Sequence, residues 1–201
     1  MSKSAVQRIA HNFPISLRSF AIVIGGVALM TLSAKIQIPF WPVPMNLQTM
    51  AVMAFAIGLG PRLAVSILAT YLAAGACCLP VFAGSPERGI GFAYLIGPTG
   101  GYLLGMAIAS WAVGVLAAGR NLTGRVGAML TGLAVVYGVG LAWLAVYIPF
   151  DRLIAEGAVP FVLGDLTKTG IVAAGASLIS GFHRARASKK MDDVPPGRIV
   201  H

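Results

Sequence analysis

The chain has 201 residues, of which 57% are hydrophobic and only 10% are charged. A soluble domain is about half apolar and about a quarter charged, so this composition excludes an ordinary soluble protein and indicates an integral membrane protein. The net charge of +9 does not indicate nucleic-acid binding, because the basic residues lie between apolar blocks and form no basic face of a water-soluble fold. The length is enough for about six transmembrane helices with short loops.

Apolar runs between turn signals predict an all-α membrane domain of six transmembrane helices. The predicted helices cover residues 17–36, 46–60, 62–79, 98–118, 124–148 and 161–182. Residues 17–182 then form one membrane domain, with an N-terminal segment 1–16 before it and a basic tail 183–201 after it. The second helix is short, since about 15 residues rise only about 22 Å. Either the segment before it dips into the bilayer or this helix is not a span.

Two loops are irregular. In "IPFWPVPMN", Pro39, Pro42 and Pro44 exclude a regular helix and favour an extended path. The loop "PVFAGSPERGIGFAYLIG", between the third and fourth helices, is long and rich in glycine. The adjacent Cys77 and Cys78 are too close for an ordinary disulfide and lack the spacing of a metal site, so we interpret them as small residues inside an apolar run.

The distribution of basic residues predicts the orientation. If all six helices cross the membrane, 11 of the 15 Lys and Arg residues lie on one side, and only Lys35, Arg88, Arg152 and Lys168 do not. This asymmetry is typical of a multi-pass protein of the cytoplasmic membrane with both termini in the cytoplasm. The first apolar run lacks a convincing cleavage site, so we expect it to be retained as a helix.

Small residues recur at helical spacing, as in Ala21-xxx-Gly25 and Gly101-xxx-Gly105. Such residues let helices approach closely, either within the bundle or with a partner protein. We expect packing within the bundle.

The stretch "VLGDLTKTG" carries two charges in an apolar segment. Asp165 and Lys168 are three residues apart and share a face of the sixth helix, in the outer half of the membrane. A charge toward the bilayer centre costs about 2.5 to 3.5 kcal/mol, so such residues face a partner, a cavity or a ligand. The pair is therefore either an ion pair that locks the helix in place or part of a binding site.

Two other functions fit this stretch poorly. A phosphate-binding loop requires glycine where Thr167 precedes the lysine, and its upstream glycine is missing. Catalysis is not favoured either, because His11, His183 and His201 all lie in the tails, away from any pocket in the bundle.

The two irregular loops bring further polar and aromatic residues to the same outer face. The first supplies Phe40, Trp41, Asn46 and Gln48, and the second supplies Glu87, Arg88 and Tyr94. Taken singly, Trp41 and Tyr94 fit an interfacial aromatic belt equally well. Taken together, these residues predict a lidded pocket with apolar walls and a few polar groups, suited to a small amphiphilic acid.

Four motifs, in order, carry a family resemblance. "PFWPVPMNLQTMAV", "GLGPR", "CLPVFAGSPERGIGFAYLIGPTGGYLLG" and "FVLGDLTK" resemble the BioY family, the biotin-specific substrate-binding (S) components of energy-coupling factor (ECF) transporters. The resemblance covers about residues 20–182. It implies a six-helix ECF S-component-like bundle that captures biotin from outside under its first loop. It also implies a transmembrane coupling protein and ATPase subunits as partners, with no cofactor and no enzymatic activity in this chain.

The resemblance also implies site residues. The Asp and Lys of the family's GDxxK motif, which bind the vitamin, correspond to Asp165 and Lys168. Gln48, Tyr94 and Tyr102 are further candidates for contact with the ring system of biotin.

The chain departs from the family pattern at two places. "GSPERGIG" replaces a stretch in which some members have an Asn, so we expect Glu87 to take over that contact. Leu103 stands where others have an Arg, so we expect Arg88 to bind the carboxylate, with Lys168 as the competing candidate. These departures leave open an S component for another small vitamin, and the small residues on the helix faces leave open a membrane scaffold subunit.

Overall fold

A computed structural model describes residues 17–38 and 41–192, with side chains described as far as residue 178. These residues form eight helices and one pair of very short strands. The helices are α1 (Leu17–Lys35), α2 (Gln48–Leu59), α3 (Pro61–Ala76), α4 (Gly91–Leu95), α5 (Gly100–Leu116), α6 (Leu122–Leu144), α7 (Phe150–Gly157) and α8 (Val159–Asp192). The six long helices lie where the sequence predicts them, which confirms the all-α class. The candidate loop residue Phe40 and the N-terminal segment lie outside the described residues.

Three segments are long and apolar enough to cross a membrane by length and composition. They are Leu17–Lys35, Leu122–Leu144 and Phe150–Leu178, whereas α2, α3 and α5 are shorter apolar helices. The count of six spans and the location of the termini therefore stay predictions.

The loop between α1 and α2 enters the end of the bundle. Strand β1 (Gln37–Ile38) pairs antiparallel with β2 (Met45–Asn46). Between them, Pro42, Val43 and Pro44 are buried. Irregular backbone at membrane depth is tolerated where protein surrounds it. Helix α2 begins at Gln48, four residues after Pro44.

Two short helices and one helix extension were not predicted. Helix α4 lies in the glycine-rich loop, and α7 lies between α6 and α8. Helix α8 continues to Asp192, ten residues beyond the predicted end at residue 182.

The cysteines also differ from the prediction. Cys77 and Cys78 are free and exposed in the turn that ends α3, where Cys78 has a positive φ of 65°. They do not lie inside the helix as the sequence suggested.

Glycines bring the helices into close contact around α5, which packs against α2, α3, α4 and α6. A Cβ added at Gly105 would lie 2.9 Å from Cα of Val136 on α6, and one added at Gly101 would overlap Trp143. This confirms packing within the bundle for these two glycines. The prediction was wrong for Gly25, where an added Cβ would meet nothing within 4 Å. Close backbone contact matters here, because lipid supplies no hydrophobic force to press helices together.

The outer surface of the bundle is apolar. Large hydrophobic side chains are exposed along several helices, among them Phe20, Ile24, Leu32, Leu104, Trp111 and Leu163. Soluble monomers rarely expose such extensive apolar surface. The fold therefore presents the surface of a protein embedded in lipid.

Candidate functional site

The charged pair of α8 lies inside the bundle. The Nζ atom of Lys168 is 2.8 Å from Oδ1 of Asp165, and the two side chains are 10% and 6% exposed. Both residues lie within a continuous helix, so "DLTKTG" forms no phosphate-binding loop. Within the described residues, no group of three or more His, Cys, Asp or Glu side chains could hold a metal ion.

Neighbouring elements supply further partners to this pair. Asp165 Oδ1 accepts a hydrogen bond from Thr49 Oγ1 of α2 at 2.7 Å, and Oδ2 accepts one from the Tyr137 hydroxyl of α6 at 2.6 Å. Lys168 Nζ also donates to the carbonyl oxygen of Asn46 in β2 at 2.5 Å. A carboxylate offers about four acceptor positions and an ammonium three donors. The carboxylate of Asp165 uses three of its acceptor positions in these contacts, and the ammonium of Lys168 uses two of its donors. About one acceptor position and one donor therefore remain for a ligand.

Gln48 is fixed by a chain of hydrogen bonds. Its Oε1 accepts from Asn46 Nδ2 at 2.8 Å, and its Nε2 donates to the Tyr71 hydroxyl at 2.8 Å. That hydroxyl donates to the carbonyl of Val81 at 3.0 Å. The Gln48 side chain, only 1% exposed, therefore links the first loop to the glycine-rich loop.

A first cavity opens beside the charged pair. Its walls come from the first loop and from α2, α5, α6 and α8, and include Val43, Met45, Gln48, Thr49, Thr99, Tyr102, Met106, Tyr137, Phe161, Asp165 and Lys168. The Tyr102 hydroxyl donates to the carbonyl of Gly157 at 2.7 Å. The volume open to the centre of a water molecule is about 40 Å³. One water needs about 10 to 15 Å³ by this measure, so the cavity holds only a few waters in this conformation.

A second cavity lies next to the first and contains the other predicted residues. Trp41, Glu87, Arg88 and Tyr94 line it together with Thr99, which also lines the first cavity. It is larger, with about 300 Å³ open to the centre of a water molecule. The Trp41 side chain is 74% exposed and stands at its rim. The eight predicted site residues are thus divided between two adjoining cavities, where the sequence suggested one pocket.

Tyr94 is part of the wall of the second cavity. Its hydroxyl donates to the carbonyl of Ala83 at 2.8 Å, and its ring stacks on Phe82 with centroids 4.7 Å apart. Burial raises the pKa of the Tyr94 phenol, although the Thr99 hydrogen bond and the Arg88 charge act in the opposite direction. Tyr94 is therefore a neutral hydrogen-bond donor at physiological pH.

Three helices hold the segment 81–85 of the glycine-rich loop by its carbonyl oxygens. Tyr71 of α3 and Tyr94 of α4 bind the carbonyls of Val81 and Ala83. Lys35, at the end of α1, donates to the Ser85 carbonyl at 2.6 Å and to the Phe82 carbonyl at 3.2 Å. The wall that carries Glu87 and Arg88 is therefore anchored to the bundle.

We expect Lys35→Met to loosen this wall. The substitution removes the ammonium donor that joins α1 to the loop, and loops with fewer hydrogen bonds open more readily to proteases. Trypsin should then cleave the detergent-solubilised protein after Arg88 faster than it cleaves the wild type. Mass spectrometry of the fragments would measure the rate. Lys35→Arg keeps a cationic donor and serves as the control. Equal cleavage rates in the wild type and in Lys35→Met would show that Lys35 does not anchor the loop.

Sequence reasoning did not identify two residues that hold the charged pair, Thr49 and Tyr137. Each offers only a hydroxyl within an apolar helix. A signal did exist for Tyr137, because a buried tyrosine hydroxyl in mid-helix usually has a hydrogen-bond partner. Thr49 directly follows the candidate residue Gln48 in "LQT", so its position in the sequence was a signal too.

Comparisons with known proteins bear on the class of protein. The bundle resembles a solved structure described as the S-component for biotin from an ECF-type ABC transporter, with a TM-score of 0.70 and 24% sequence identity over 90% of this chain and 95% of that chain. At this identity the likeness shows the fold. The chain therefore has the fold of that S-component, and its apolar surface is that of a multi-pass membrane protein.

The sequence comparisons then give the family. A model of the BioY family matches residues 3–185. A probable biotin transporter BioY of Pyrococcus horikoshii is 35% identical over 77% of this chain and 91% of its own length. The biotin transporter BioY of Thermotoga maritima is 37% identical over 73% of this chain and 86% of its own length. The chain belongs to the BioY family, and it is therefore a transport protein and not an enzyme.

Proposed function

We propose that this protein binds biotin and serves as the substrate-binding S subunit of an ECF-type transporter. The observation that carries the proposal is the buried pair of Asp165 and Lys168 on the wall of a cavity, in a chain of the BioY family. A pair that only locked the helices would need no cavity beside it. Here the two charged groups have protein partners and still border open space.

The chemistry of biotin suits this pair. The ureido ring of biotin has two N–H donors and one carbonyl acceptor. The carboxylate of Asp165 accepts from an N–H group and the ammonium of Lys168 donates to the carbonyl. Such contacts are strong in a dry site, because a charged partner makes a hydrogen bond about twice as strong as a neutral pair does. Gln48 and the ring of Tyr102 then border the bicyclic part of the ligand.

The second cavity suits the acidic tail. If the ureido ring lies at Asp165, a tail that passes Thr99 enters the cavity with Arg88, Trp41 and Tyr94. Leu103 is only 2% exposed, within the core. Arg88 is therefore our candidate for the carboxylate, and Glu87 lies at the tail end and not at the ureido ring.

Ligand capture requires the first loop to move. The first cavity is too small for a bicyclic vitamin, and one of its walls is the segment that carries Val43, Met45 and Asn46. The bond between Lys168 Nζ and the Asn46 carbonyl holds this segment inward. We propose that biotin exchanges for that bond as the segment moves outward, and that the segment then closes over the ligand.

The topology and partners follow from the same proposal. Six crossings place Arg62, Arg120 and Arg125 on the cytoplasmic side together with both termini, as the positive-inside rule favours. A transmembrane coupling protein and two ATPase subunits, separate from this chain, drive transport.

Mass spectrometry of the protein purified without added vitamin tests the proposal directly. We expect bound biotin, or tight uptake of labelled biotin that a panel of other vitamins does not displace. Displacement by another vitamin would make the protein an S component of different specificity. Absence of any small-molecule binding, with co-purification of a partner, would favour a scaffold subunit.

Arg88→Gln tests the place of the carboxylate. We expect the affinity for biotin to fall about ten- to a hundredfold, because a hydrogen bond to a charged group contributes about 1.5 to 3 kcal/mol. The affinity for biotin methyl ester should not change. Arg152→Gln, on exposed α7, is the matched control. An equal loss for acid and ester would show that Arg88 does not bind the carboxylate.

A further inference from the structure

A groove lies at the end of the bundle opposite the charged pair. It is formed by the last turns of α2, the first turn of α6 and the second half of the described part of α8. Its lining includes Ala54, Ile57, Gly58, Arg125, Val172 and Gly175. About 390 Å³ is open to the centre of a water molecule. Gly175 lies ten residues after Asp165 on α8, which corresponds to about 15 Å along a helix.

The groove is mostly apolar and lined by small residues, and its lining includes the cationic Arg125. A Cβ added at Gly58 or at Gly175 would meet nothing within 4 Å, so the missing side chains leave real space. Arg125 is half-buried and has no acidic partner among the side chains that the structure describes. The groove therefore combines an apolar lining with the positive charge of Arg125.

The charges at this end favour an anionic occupant. Arg62 and Arg125 lie in the first turns of α3 and α6, and Arg120 lies in the turn between α5 and α6. The acidic side chains that the structure describes, Glu87, Asp151, Glu156 and Asp165, all lie toward the end that holds the two cavities. A negative headgroup near Arg125 would therefore meet no acidic side chain of the described chain.

The surroundings favour a lipid. Exposed apolar side chains flank the groove on each of its three helices, with Leu59 on α2, Leu130 on α6 and Ile171 on α8. The groove is thus continuous with the surface that faces the acyl chains. A phospholipid fits both parts, since its acyl chain is apolar and its phosphate can pair with a guanidinium.

We infer that this groove binds one anionic phospholipid, with an acyl chain along Ile57, Val172 and Gly175 and the headgroup on Arg125. This site is separate from the proposed vitamin site and does not depend on it. Anionic lipid at this position would fill the space between α2, α6 and α8 and fix the packing of these helices.

Native mass spectrometry of the full chain in detergent, titrated with phosphatidylglycerol or with phosphatidylcholine of the same acyl chains, tests the inference. Arg125→Gln should weaken the binding of phosphatidylglycerol about fivefold and leave phosphatidylcholine unchanged, because one basic residue contributes about 1 kcal/mol to anionic lipid binding. Gly175→Leu should weaken both, because it fills the channel. Arg152→Gln, at an exposed position on α7 at the opposite end of the bundle, and Gly127→Leu are the matched controls, since an added Cβ at Gly127 also meets nothing within 4 Å.

The outcomes separate the possible occupants. Unchanged phosphatidylglycerol binding in both Arg125→Gln and Gly175→Leu would overturn the inference, and so would equal losses in the controls. If Gly175→Leu blocked co-purification with a membrane partner while lipid binding stayed constant, the groove would be a protein docking site and the inference would be wrong. Biotin affinity should be the same in all four variants, so a failed lipid site leaves the proposed function untouched.

Discussion

Asp165→Asn is expected to reduce the affinity for biotin about a hundredfold, because it removes the charge from an acceptor that binds an N–H group in a dry cavity. The asparagine side chain has nearly the same shape, so the cavity walls stay in place. It also presents an amide N–H₂ group, which cannot accept from the ligand or from the hydroxyls of Thr49 and Tyr137. Isothermal titration in detergent would measure the loss.

The fold must be checked in the same protein, since Asp165→Asn leaves the ammonium of Lys168 buried without its counter-charge. Breaking a buried ion pair costs about 3 to 5 kcal/mol. The double variant Asp165→Asn/Lys168→Met removes both charges, and it should recover thermal stability without recovering biotin binding. Asp151→Asn, at an exposed position of α7, should change neither property. Wild-type affinity in Asp165→Asn would remove this carboxylate from the site.

The sequence predicts the long helices well because two strong signals coincide along most of the chain. Apolar runs are separated by glycine, proline and charged residues, and these mark the ends of α1, α3 and α6 to within a few residues. Helix α7 was missed because Asp151, Arg152 and Glu156 give its sequence the composition of a loop. Its helical character depends on tertiary contacts, such as burial of Leu153. The strand pair was missed because the prolines between β1 and β2 suggested only an extended path.

The charged pair of the candidate site could be recognised from the sequence, because a charge in an apolar helix is energetically costly unless it has a partner or a ligand. Asp165 and Lys168 stand out because charges are rare in an apolar helix. Thr49 and Tyr137 did not stand out, because each has an ordinary role in an apolar helix. The division of the candidates between two cavities could not be read from the sequence either. It arises because Lys35, Tyr71 and Tyr94 hold the glycine-rich loop to one side, which is a matter of tertiary packing.

The hydrogen bonds that hold the two loops explain why we give them different roles. The glycine-rich loop is bound to three helices through successive carbonyl oxygens, so it forms a fixed wall. The first loop is joined to the charged pair by the bond from Lys168 Nζ to the Asn46 carbonyl, and a ligand carbonyl can replace that acceptor. The ligand carbonyl and the Asn46 carbonyl therefore compete for the same ammonium group, and binding of the ligand releases the first loop.

This competition makes Lys168→Met the second decisive substitution. Methionine keeps most of the apolar stem and removes the ammonium. The carboxylate of Asp165 keeps two hydroxyl partners, at 2.7 Å from Thr49 and 2.6 Å from Tyr137, so we expect the protein to fold. Affinity for biotin should fall about ten- to a hundredfold, as for the loss of one hydrogen bond to a charged group.

Comparing the affinities for biotin and for its methyl ester shows which end of the vitamin Lys168 binds. If the ammonium binds the ureido carbonyl, Lys168→Met weakens the acid and the ester by the same factor, whereas Arg88→Gln weakens the acid alone. If Lys168 binds the carboxylate, the pattern is reversed and the ester is insensitive to Lys168→Met. We expect the first pattern, because Nζ of Lys168 lies 2.8 Å from the carboxylate of Asp165 while Arg88 lines the neighbouring cavity. The reversed pattern would require the ligand to bind in the opposite direction, with its tail at α8.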